Sequence, residues 1–85
     1  MSLSTSIKLQ QLDAARARLS ALDHVSEAFA EAVLDGIEVE AFAEAAIATA
    51  LRELVALHGE ERVAEVFRGL PDRVRGGEFS SRLRQ

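Results

Sequence analysis

Apolar positions in the first third of the chain alternate at spacings of three and four. Leu12, Ala15, Leu19, Leu22, Phe29 and Val33 lie on one stripe, Ser26 fills the seven-residue repeat, and Leu9 and Val25 widen it. A stripe of this kind marks an amphipathic helix with coiled-coil character. No Pro or Gly interrupts it before Gly36. The pattern therefore predicts one long helix from about Ser6 to Asp35, or two with a kink near Asp23–Ser26. Asp35-Gly36 should end it, because Gly tolerates the left-handed backbone used at helix C-termini.

A second pattern runs from about Glu38 to His58. Val39, Ala43, Ala46, Ala50, Leu54 and Leu57 share one face, and Phe42, Ile47, Leu51 and Val55 lie beside it. Glu44, Thr49, Arg52 and Glu53 leave only a narrow polar strip. A helix apolar over most of its girth is expected to be buried on more than one side, which makes this the central helix of the predicted fold.

The stretch His58-Gly59-Glu60-Glu61 holds histidine, glycine and paired carboxylates together. Gly59 fits the residue beyond a helix end, His58 suits the negative end of a helix dipole, and Glu60 and Glu61 suit the first turn of a new helix. Val63, Val66, Phe67 and Leu70 follow at helical spacing. The stretch is predicted to be a helix–corner–helix junction. Arg62 stands where an HExxH zinc motif would need its second histidine. Gly69-Leu70-Pro71 should end the third helix, and Pro71 is suited to open a short final turn to Arg75. Gly76-Gly77 breaks that turn. The tail from Glu78 is polar, with apolar points at Phe79 and Leu83.

The predicted fold class is therefore all-α. It is a helical bundle of three helices plus a short C-terminal turn, with a long N-terminal helix. A single domain is expected over residues 1–77, and a flexible or docking tail over 78–85. A 30-residue helix is ~45 Å long, whereas a compact domain of this size is ~30 Å across. The leucine seam of the first helix thus outruns any core that 85 residues build alone. A second copy is the simplest cover, so a homodimer is expected, with Leu9, Leu12, Leu19, Leu22 and Phe29 at the interface.

Composition strengthens that expectation. Small chains need a staple, and with no cysteine the chain has neither disulfides nor thiolate zinc sites. No cofactor is implied. The start MSLSTSIKLQ lacks a basic region followed by an apolar run, and no stretch approaches the ~20 apolar residues of a membrane span. A cytoplasmic protein without membrane contact is expected. Nine arginines against one lysine, with many alanines, fit a bacterial genome rich in G and C.

The net charge of −4 is unevenly placed: residues 1–22 sum to +2, 23–61 to −9 and 62–85 to +3. Glu27, Glu31 and Asp35 follow at i, i+4, i+8, and Glu40 and Glu44 repeat that spacing. Like charges so spaced cost ~0.2–0.5 kcal/mol per pair. The row is expected to be either a solvated face or a surface for a basic protein partner, with Phe79 as a further anchor. His24 beside Glu27 and Glu31 raises a metal-binding bundle as an alternative, although the order of ligands departs from that of di-metal bundles. Arg68, Arg73, Arg75, Arg82 and Arg84 raise a nucleic-acid-binding regulator as another. Against it, Glu60-Glu61 would meet phosphate at the would-be recognition helix, and neither Trp nor Tyr is present for stacking. These arginines are expected instead to neutralise the acidic middle of the same or a partner chain. No cysteine nucleophile, phosphate loop or marked Ser–His pair is present, so the expected class is a non-enzymatic adaptor, regulator or inhibitor without catalytic or metal residues.

Overall fold

The structure, a computed structural model, describes residues 3–81, with side chains from residue 8 onward. It is all-helical: α1 (Leu3–Leu34), α2 (Val39–His58), α3 (Glu60–Val66) and α4 (Leu70–Arg75), with no strand among the described residues. The chain forms two compact units, divided within α2 between Glu44 and Ala45.

The first unit holds α1 and the opening turns of α2. α1 is helical without a break through Asp23–Ser26, so of the two readings of the first stripe the continuous helix is the one found. Its end follows from Gly36, which sits at φ 80. The Ile37 N–H donates to the Ala32 carbonyl at 2.9 Å and the Gly36 N–H to the Val33 carbonyl at 3.0 Å. These are the two bonds of a Schellman cap, which needs a left-handed residue at the position Gly36 holds. Ala32 is buried. Phe29 packs edge-on against Phe42 of α2, with centroids 4.7 Å apart and planes at 80°. Such edge-to-face pairs add ~0.5–1.5 kcal/mol beyond the area they bury.

The second unit holds the rest of α2 with α3 and α4. The corner predicted at His58–Glu61 is present. Gly59 lies at φ 84, ψ 162, a conformation essentially confined to glycine. Glu60 and Glu61 occupy the first turn of α3, where the dipole favours carboxylates. Val63 is buried, and Leu54, Val55, Phe67 and Leu70 are half-buried.

α3 is shorter than its apolar spacing suggests. It gives way to a turn over Phe67–Gly69, closed by the Leu70 N–H donating to the Phe67 carbonyl at 3.1 Å. Leu70 then opens α4, with Pro71 at its start. A second Schellman pair ends α4: the Glu78 N–H bonds the Arg73 carbonyl and the Gly77 N–H the Val74 carbonyl, both at 3.2 Å. Gly77 supplies the positive φ of 86.

One expectation is corrected. α2 is not buried on more than one side; none of its residues is buried, and Val39, Ile47 and Leu57 are 56%, 61% and 74% exposed. The apolar girth of a helix says what it is suited to bury. Covering it takes apolar bulk from other elements, and this helix is left with much of its apolar face in water.

Candidate interaction surface

Five of the candidate partner-binding residues fall in the first unit. Glu27 and Glu31 lie in the last two turns of α1. Asp35 follows directly, its N–H still donating to the Glu31 carbonyl at 2.9 Å. Glu40 and Glu44 lie in the opening turns of α2. All five are exposed, and none has an ion-pair partner among the described residues.

The two groups sit differently with respect to their helices. Glu40 is in the first turn of α2, where the positive end of the dipole offsets its repulsion from Glu44. Glu27, Glu31 and Asp35 approach the negative end of α1, whose last turn carries no basic residue. Mutual repulsion acts along the row, and the dipole adds to it at Glu31 and Asp35. The α1 row is therefore an uncompensated negative surface, suited to cationic groups.

On the same helix, Leu9, Leu12, Leu19 and Leu22 are 49%, 55%, 64% and 60% exposed. In the first unit α1 has only the six residues Val39–Glu44 of α2 as a neighbour. Their ~9 Å of helix meets α1 at Phe29, two turns beyond Leu22 and farther from Leu9, Leu12 and Leu19. Phe29, expected with them, is thus partly covered by the chain's own Phe42.

Phe79 belongs to the other unit. It is 59% exposed, and the Arg73 guanidinium lies 5.2 Å from its ring centroid. Arg73 Nε also donates to both Glu78 carboxylate oxygens at 3.0 Å, and its terminal nitrogen pairs with Glu78 as well. This hydrogen bonding holds the Glu78 carboxyl below its ordinary range and raises the Arg73 guanidinium. Arg68 pairs with Glu65 at 3.5 Å and Arg75 with Asp72 at 3.4 Å, both on the exposed surface. Three of the arginines that were to neutralise the acidic middle therefore pair with carboxylates next to them in sequence. Their charge is matched locally, which weakens the case for a phosphate-binding face. Arg82, Leu83 and Arg84 lie outside the described residues.

No protein family, curated protein or solved structure matches the chain.

His24 makes a contact within its own helix. His24 Nδ1 is 2.8 Å from the Ser20 carbonyl. A carbonyl only accepts, so this contact places the proton on Nδ1. Among the described residues no three His, Asp or Glu groups are placed to hold a metal ion, and no helix is long and apolar enough to cross a membrane. His58 lines a cup of about 280 Å³ with Leu54, Arg62, Val63, Val66 and Phe67. It offers an apolar floor and two nitrogen-bearing side chains. Leu54, His58, Arg62 and Val66 recur in steps of four across the Gly59 corner, and this spacing is the sequence signal for the cup, beside the junction predicted there.

Proposed function

We propose that this protein is a small non-enzymatic interaction protein, an adaptor, regulator or inhibitor. It works in the cytoplasm as a homodimer joined through α1, and it offers an acidic helical surface to a basic protein partner. The observation that carries the reading is that α1 bears two unmet demands at once. Four leucines stand about half or more in water, and an acidic row sits unpaired at the negative end of the same helix. Leaving such leucines exposed forgoes ~1.5–3 kcal/mol each at full burial, a large share of the stability of a small domain. Keeping the carboxylates together costs energy that a bound cationic group would return.

The test is affinity capture by the full chain from its native host. Glu27, Glu31 and Glu40, each replaced by Lys, form the control. Basic proteins retained by the natural chain and lost by the reversed one support the reading. Equal capture by both removes the acidic row as the binding face.

A further inference from the structure

We infer that the second copy lies antiparallel to α1, centred between Ser20 and Ala21; this rests on the homodimer proposed above and specifies its geometry. Two observations set the direction. The first is the charge polarity of α1. Lys8, Arg16 and Arg18 occupy its N-terminal half against Asp13 alone, and Asp23, Glu27 and Glu31 its C-terminal half, with Asp35 just beyond. The first turn has no acid and the last turn no base. The side-chain charges therefore run in the same sense as the backbone dipole, positive at the N-terminus and negative at the C-terminus. A parallel mate would stack each excess on its like. An antiparallel mate sets every positive half against a negative one, dipoles included.

The second observation is the seam itself. Counting back four from Leu12 in the alternating pattern places Lys8 on the seam. In a parallel pair the two Lys8 ammonium groups would face each other within it. In the antiparallel pair Lys8 meets the last turn of the second copy, near Val33, where the negative end of the helix dipole and the neighbouring acids Glu31 and Asp35 favour a cation. Val33 is 54% exposed in the single chain. Antiparallel registers that keep seam positions opposed have centres about 3.5 residues apart; one centred on residue 24 sets Asp23 against Asp23 and leaves Leu9 and Leu12 past the end of the second α1, and the next alternative is centred near residue 17. It sets Arg16 against Arg16 and Arg18 against Arg18, and is disfavoured. The register centred between Ser20 and Ala21 layers Leu19 on Leu22 at the two-fold axis and Leu12 on the outer side of Phe29. It also sets Arg16 beside Asp23. It covers the exposed leucines, and an antiparallel two-fold is the closed, isologous arrangement expected of a dimer.

The chain has no cysteine of its own, so single cysteines report cleanly. Gln10→Cys and Ser20→Cys, both at exposed positions off the seam, are spin-labelled in the full chain, and distances between copies are read by pulsed electron resonance. With 1.5 Å of rise per residue, the two Gln10 positions should lie ~32 Å apart along the axis. The two Ser20 positions should be separated mainly by the ~8–10 Å between helix axes, plus the label arms. Short distances at both positions, in a species of dimer mass, overturn the antiparallel sense while leaving the dimer standing. Axial separations of ~21 Å for Gln10 and ~9 Å for Ser20, as the register centred near residue 17 gives, or a long Ser20 distance with a short Gln10 distance, overturn the register. Single-chain mass with no distance between copies overturns both this geometry and the dimer.

Discussion

Leu19→Ala separates a lone chain from a paired one, because the two predict opposite signs. Leu19 is 64% exposed in the single chain. For a lone chain the substitution falls on the surface, where effects stay within ~0.5 kcal/mol. Alanine is also the best helix former, so α1 should hold or gain stability. For a dimer, full burial of a leucine is worth ~1.5–3 kcal/mol. The exposed fraction leaves about three-fifths of that, ~1–2 kcal/mol, to be realised on pairing. Both copies lose it. Since alanine keeps one methyl, the deficit per dimer is roughly 1.5–3 kcal/mol. At ~1.4 kcal/mol per factor of ten, the dissociation constant should rise ~10- to 100-fold. The assay is sedimentation equilibrium over a concentration series, with thermal melting at each concentration, because a dimer melts at a temperature that depends on concentration. An unchanged dissociation constant in Leu19→Ala would refute the placement of this seam at the interface, and a melting temperature independent of concentration in the natural chain would refute the pairing itself.

Three further outcomes are expected. Gly59→Ala should lower unfolding free energy by ~1–3 kcal/mol through backbone strain alone, since an added Cβ there meets nothing within 4 Å; Gly69→Ala, equally open and without positive φ, should stay within ~0.5 kcal/mol in the same denaturant titration. Arg73→Gln should raise the Glu78 titration midpoint, followed by carbon-detected NMR, because the Arg73 hydrogen bond is what lowers it. The sign follows from the lowered value: in the natural chain the Arg73–Glu78 contribution is present above the ordinary glutamate range, ~4.3, and is lost as pH falls through the lowered value. Glu27→Lys with Glu31→Lys should abolish affinity capture of the basic partner, and capture left intact would assign the row to solvation only.

The helix boundaries were legible because single residues fix them. Gly36, Gly59 and Gly77 are the positive-φ positions among the described residues, and each ends or joins a helix where the sequence placed it. The turn at Phe67–Gly69 was not legible. Val63, Val66, Phe67 and Leu70 keep helical spacing whether or not the backbone between them stays helical. The burial of α2 was over-read for the reason its alanines suggest: periodicity reports which face is apolar, and says nothing of how much bulk is at hand to cover it. The acidic row was legible as an exposed feature, since carboxylates in steps of four seek water. The local pairing of Arg68, Arg73 and Arg75 was harder to see. Arg68 and Arg75 pair with carboxylates three residues before them, which charge totals over thirds of the chain conceal, and the Arg73 pair depends on a Schellman turn that brings Glu78 back onto it.

The most direct test is sedimentation velocity of the natural chain through the micromolar range and below. A boundary of twice the single-chain mass, shifting toward one chain on dilution, is the result expected if a second copy covers the α1 leucines. A single-chain boundary at every concentration, with Leu9, Leu12, Leu19 and Leu22 left in water, would contradict it.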